Sequence, residues 1–171
     1  MTPGLSYREV IQPSEAELRE LARLLVDVVA DGASIGFLPP LTEEEAYKYW
    51  TLVPREQVVV WVAEKETGIV GTIQLQLSDR PNGLHRAEIV KLMVHPSAQR
   101  QGIGRTLMLL AEARAMAENR SLLVLDTRAG DPSNQLYQAM DYKEAGRIPQ
   151  YAKSADGELH DTVIYYKQIG E

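Results

Sequence analysis

Residues 91–108 read "KLMVHPSAQRQGIGRTLM". The opening residues favour a strand, Pro96 interrupts it, and a helix follows. Ile103, Leu107, Leu110, Ala111 and Ala115 recur on one helical face as far as about Glu118. Gly102 and Gly104 therefore stand at a helix start, where amides lack partners and the helix dipole is positive. A phosphate suits that point, provided side chains leave its oxygens room to reach the backbone, and two glycines leave that room. The stretch reads as a pyrophosphate cradle at a strand-to-helix junction, with Arg100 and Arg105 adding charge. Easing of a turn is the other reading of a Gly-x-Gly pair. A nucleotide P-loop would need GxxxxGK[ST], which is absent, and a dinucleotide fingerprint needs a third glycine where this chain has Leu107.

Working outward, "QVVVWVAEK" (57–65), "GIVGTIQLQLS" (68–78) and "RAEIVKLMV" (86–94) are valine- and isoleucine-rich runs separated by turn residues. They predict an antiparallel meander. Earlier, a short strand is expected from Tyr7 to Ile11. Ser14 stands three residues before Glu17, the capping-box spacing, and apolar residues then mark a helix from Glu15 to Ala30. Thr42 and Glu45 repeat that spacing ahead of a second helix, expected to run to about Val53 and to stop at Pro54. Between the helices, Asp31 to Pro40 reads as a loop whose Ile35 and Phe37 need cover. After the glycine helix, "LLVLDT" (122–127) predicts a buried central strand. Asp131 as N-cap and Pro132 at the first helical position predict a short helix carrying Tyr137. Strands at 142–151 and 158–169 close the chain. The order predicts an α/β (α+β) fold: a mixed, mostly antiparallel sheet of about seven strands flanked by about four helices. The parallel pair should be the two strands on either side of the Gly102 helix.

The chain has 171 residues, enough for one domain spanning 1–171, and is 44% hydrophobic and 25% charged. Lysine and arginine total 18 against 24 acidic residues, a net charge of −6 without a dense basic cluster, which argues against nucleic acid or an anionic membrane as a partner. No cysteine is present, so thiolate chemistry and disulfides are excluded. The three histidines, His85, His95 and His160, are scattered, and no metal is expected. No apolar run approaches a membrane span and no signal core precedes the first strand, so the expected location is the cytoplasm.

Gln99 to Gly104 fit the pattern [QR]xxGx[GA], and "LY" followed by a further tyrosine occurs at 136–142. With these, the chain resembles the GCN5-related N-acetyltransferases (GNAT), over about residues 57 to 168. The stretches at 32–37, 80–94, 125–131 and 149–167 resemble more narrowly the tabtoxin-resistance branch, which acetylates a β-lactam amino-acid toxin. The resemblance implies the GNAT fold, acetyl-CoA as cosubstrate and a small amine as acceptor. It places the coenzyme against the backbone of Met93 and Val94 and along Gln99, Arg100, Gln101, Gly102, Ile103, Gly104, Arg105 and Thr106.

The resemblance also assigns proton removal to Glu88 and Asp126. Glu88 lies, by strand alternation, on the side of Val90 and Leu92; its plainer reading is a charge partner of Lys91 or Arg86. Asp126 stands at the carboxyl end of an apolar strand, where open α/β sheets place ligands, though such a residue also caps turns. Tyr137 matches the family tyrosine that faces the coenzyme sulfur, and a tyrosine is protonated at neutral pH; packing is its alternative role. Ser34, Phe37, His85 and Tyr151 are expected around the acceptor. Two departures stand out: the family's asparagine seven residues before the tyrosine is Gly130, and its usual Gly-Phe is Asp141-Tyr142. The rival function is an idle acyl-CoA-binding module on the same fold, against which both carboxylates and Tyr137 speak. The sequence leaves a homodimer open.

Overall fold

The computed structural model describes residues 4–53 and 56–170. The meander forms as the valine-rich runs require. β2 (Val58–Lys65) pairs antiparallel with β3 (Gly68–Leu77), and β3 with β4 (Arg86–Val94). β1 (Ser6–Val10) adds to the outer edge of β2, one residue short of the expected Ile11. β5 (Leu122–Arg128) runs parallel to β4, and the terminal strands β6 (Lys143–Lys153) and β7 (Leu159–Gln168) complete one seven-stranded sheet in the order β1-β2-β3-β4-β5-β7-β6. Every other neighbouring pair is antiparallel, so this is the predicted mixed sheet. β7 inserts between β5 and β6.

Both capping boxes form. Ser14 Oγ accepts from Glu17 N at 3.2 Å while Glu17 returns a bond to Ser14 N at 2.8 Å, opening α1 (Glu15–Ala30). Thr42 and Glu45 do the same for α2 (Glu43–Thr51), at 3.1 and 2.9 Å. α2 ends two residues before the expected Val53, with Leu52 as its cap, and Pro54 lies outside the described residues.

Alternation along β2 divides the core. Val60 and Val62 face α1 and α2, joined there by Leu21, Leu25, Trp50, Ile69 and Met93. Val59, Trp61 and Ala63 face the other way, toward α3 (Ile103–Ala117) and α4 (Ser133–Ala139), over a cluster holding Ile73, Leu75, Leu107, Met108, Leu123 and Tyr165. A strand buried on both faces is what an unbroken valine run predicts. β5 departs from that expectation. Leu123 and Leu125 are fully buried, but Val124 is partly exposed and Asp126 open to solvent, because the opposite face looks into a cleft. α4 also begins differently: Pro132 is the cap and no side chain bonds the first turn, since the Asp131 carboxylate is taken by Arg128 Nε at 2.9 Å. Among the described residues no helix is long and apolar enough to cross a membrane.

Candidate active site

The parallel pair is short. β4 and β5 are in register at Arg86–Leu122, Ala87–Leu123 and Glu88–Val124, and nowhere beyond. Past that point β4 follows β3 while β5 follows β7, and the sheet splits between them. A bulge accompanies the split: Thr72 pairs with Met93 but Gln74 with Val90, which leaves an extra residue in β4 opposite Ile73. Lys91 sits there in the left-handed region with φ 57°. The bulge reverses the alternation. Ala87 and Ile89 face the α3 side, as do Leu92 and Val94 beyond it, while Met93 turns to the α1 side. Glu88 therefore does not share a face with Leu92, contrary to simple alternation; it looks across the split toward Asp126.

β4 ends in a tight turn. His95 caps it, with Nδ1 2.8 Å from Ser97 Oγ and Nε2 3.0 Å from Asp27 Oδ2, so both ring nitrogens are held in structural contacts. Gln99 and Arg100 lead from the turn, Arg100 with φ 62°. Gly102 caps α3 in the left-handed conformation, φ 79°, and offers no side chain to the helix. The first helical bond runs from Thr106 N to Gly102 O at 3.0 Å. The amides of Ile103, Gly104 and Arg105 precede it and remain for a ligand. Ile103 points into the core, whereas Arg100 and Arg105 are exposed and Lys65 Nζ reaches Gln101 Oε1 at 2.7 Å. A Cβ on Gly104 would stand 3.5 Å from Leu136 of α4, so the helix carrying Tyr137 abuts this loop.

Glu88 and Asp126 line one cavity of about 150 Å³ with Val124, Ile148, Tyr151, Thr162 and Ile164. Thr162 Oγ1 donates to Asp126 Oδ2 at 3.0 Å and fixes that carboxylate. Partial burial, then the Asp126 charge, push Glu88 above the ordinary carboxylate range, with Lys91 pulling the other way. Tyr137 is buried between Tyr142 and Tyr165, ring centroids 6.0 and 5.9 Å away. Burial, then Asp126, raise its hydroxyl well above the ordinary tyrosine value, and no described residue hydrogen-bonds to it.

The structure thus brings Glu88, Asp126 and Tyr151 together and puts Tyr137 within the field of Asp126. Ser34 and Phe37 lie apart, on a crevice of about 10 Å³ with Arg128 and Ser154, room for one water at most. His85 is exposed at the other end of the parallel pair, where its carbonyl accepts from Ser121 N and Leu122 N at 2.7 and 3.1 Å. Thr162, Ile148 and Ile164 were not singled out in the sequence, since nothing local marks a strand residue as facing a distant carboxylate. His160, scattered in sequence from the other histidines, lies partly buried at the start of β7 beside Asp156 and Glu158 of the exposed β6–β7 turn, their ligand atoms within 4.8 Å.

Residues 18–142 match the model of the acetyltransferase (GNAT) family. An uncharacterized N-acetyltransferase from the hisH-hisA intergenic region of Azospirillum brasilense is 30% identical over 116 residues, 66% of this chain and 68% of that one. Among solved structures, an N-acetyltransferase from Staphylococcus aureus gives a TM-score of 0.81 at 19% identity, covering 96% of this chain and 98% of its own. The Salmonella typhimurium protein yncA, solved with its cofactor acetyl-CoA, gives 0.79 at 17% identity, covering 98% and 95%.

Proposed function

The chain belongs to the acetyltransferase (GNAT) family, and we propose that it moves the acetyl group of acetyl-CoA directly onto the amine of a small, amino acid-like molecule, in the cytoplasm. A β-lactam antimetabolite of the tabtoxinine kind is the candidate that the stretches at 32–37, 80–94, 125–131 and 149–167 favour. The observation that carries the reading is the pairing of Glu88 and Asp126 on one cavity beside the split sheet.

The residues fit the coenzyme. The amides from Gln101 to Arg105 precede the first helical bond, are free of side-chain caps and stand beside Arg100 and Arg105, which suits a diphosphate. The backbone of Met93 and Val94 borders the split and takes the pantetheine arm. Bound there, acetyl-CoA supplies the acyl group as an activated thioester.

An acceptor ammonium must first lose a proton. Glu88, its affinity for protons raised, takes that proton directly or through water, and the Asp126 carboxylate steadies the positive charge that the nitrogen regains as it bonds to the acyl carbon. The N–C bond then forms as the C–S bond breaks. Tyr137 keeps its own proton and steadies the departing sulfur by hydrogen bonding. In sum the ammonium sheds two protons, of which one ends on the sulfur and one in solvent.

A thiol-release assay with acetyl-CoA against amino acids, polyamines, aminoglycosides and tabtoxinine tests the reading. Thiol release with an amino acid-like member, and its loss in Glu88→Gln, are expected. No release with any amine would overturn the proposal and favour an idle coenzyme-binding module.

A further inference from the structure

The acid pair accounts for the amine end of an acceptor and leaves Lys91 unexplained. Its position is costly in two ways. The backbone is left-handed at a residue with a Cβ, which is disfavoured, and the ammonium is half-buried. Half-buried charges are normally paired, yet no described residue makes a hydrogen bond or ion pair to Lys91. Nζ lies instead 6.0 Å from the centre of the Phe37 ring, over the loop that joins α1 and α2, and 3.4 Å from where a Cβ on Gly36 would stand. The absence of that Cβ lets the lysine lie close against the loop. Glu88 and Asp126 act on it through space without touching it.

The charges of the cleft are therefore sorted. Two carboxylates line the cavity, and one unpaired cation stands toward the Phe37 loop. A plain amine or polyamine makes use of the first feature only. A zwitterion uses both, its ammonium at the acids and its carboxylate at the lysine. We propose that Lys91 is the specificity-determining residue for a carboxylate-bearing acceptor, binding that carboxylate while Glu88 and Asp126 receive the amine. This rests on the acceptor reading above and narrows it to amino acids whose carboxylate is free.

The test uses matched pairs, each standard amino acid and its carboxamide, with acetyl-CoA and thiol release as the readout. The native chain is expected to prefer the free acid in kcat/KM for at least one pair. In Lys91→Met that preference falls by about ten- to a hundredfold, the worth of a charge-assisted hydrogen bond, mainly through KM. Differences in amine reactivity cancel, because the two enzymes are compared on the same pair. Lys91→Arg, which keeps the charge at the same strained backbone position, retains most of the preference and controls for misfolding. If Lys91 merely tunes Glu88, the mutation shifts the pH profile equally for acid and amide and leaves the preference intact, which overturns the proposal. A native enzyme that acetylates amides as well as acids also overturns it, while leaving the acetyltransferase reading in place. No turnover with any pair, although calorimetry detects acetyl-CoA binding, sinks the acceptor reading and this inference with it.

Discussion

The two glycines of the cradle stand in different conformations, and their replacement by alanine should move stability in opposite directions. Gly102 has φ 79° and open space around its missing side chain, with no atom within 4 Å of a built Cβ. An alanine there meets no neighbour, so its cost is the left-handed backbone alone, about 1–2 kcal/mol. Gly104 is helical, and its built Cβ would meet Leu136 at 3.5 Å and Leu92 and Val94 at 4.0 Å, ordinary contact distances. Alanine there restricts the unfolded chain and favours the helix, a gain of up to about 1 kcal/mol. For a chain of this length 1 kcal/mol corresponds to about 2–4 °C in Tm. Thermal unfolding followed by circular dichroism should thus place Gly102→Ala about 2–8 °C below the native chain and Gly104→Ala level with it or up to about 4 °C above. The coenzyme reports separately: Gly104→Leu, which brings a branched side chain to the unpartnered amides, should weaken acetyl-CoA binding measured by calorimetry while the chain stays folded. A Gly102→Ala protein as stable as the native one would refute the backbone argument. Unchanged binding in Gly104→Leu would refute the cradle.

Glu88 sets a pH dependence. With its proton affinity raised by burial and by Asp126, the acid limb of kcat/KM should lie above the ordinary carboxylate range; Asp126→Asn should move it down and Lys91→Met up, and a limb fixed in both variants would remove Glu88 as the base. The same shift bears on stability: the folded chain holds this proton more tightly than the unfolded one, so the folded state loses ground as pH rises from the free value of 4.5 through the raised one. Glu88→Gln should therefore melt higher than the native chain at neutral pH while being inactive, and a lower melting temperature would contradict the sign. Tyr137→Phe removes a donor to the departing sulfur and should lower kcat by about ten- to a hundredfold with little change in KM. Buried Glu112 accepts from Tyr142 at 2.9 Å and from Lys167 at 3.2 Å, so Glu112→Ala, which strands both donors, should cost about 3–5 kcal/mol by denaturant unfolding. Pairing Glu112→Leu with Lys167→Met and Tyr142→Phe should recover most of that loss.

What the sequence made legible was local. Both capping boxes, the meander and the helix start after Gly102 follow from neighbours within a few residues, and each forms as the spacing predicts. Strand order is not local, and nothing in residues 142–169 announces that β7 rather than β6 lies against β5. The cavity inherits that opacity, because Ile148, Thr162 and Ile164 reach Asp126 only through that order. The departure of Tyr142 from the family's phenylalanine was visible, but its reason, the buried Glu112 and Lys167, lies 30 and 25 residues away. The bulge left a trace: Val90, Leu92, Met93 and Val94 are all apolar, a run that strict alternation cannot hold on one face. Its conformation went unmarked because the left-handed position is filled by a lysine where a glycine would ordinarily signal it. Lys91 is thus where fold and site meet. The same extra residue that parts β4 from simple pairing beside the split also carries the unpaired ammonium toward the Phe37 loop, and a strand without the bulge would turn Leu92 and Val94 to the opposite face of the sheet.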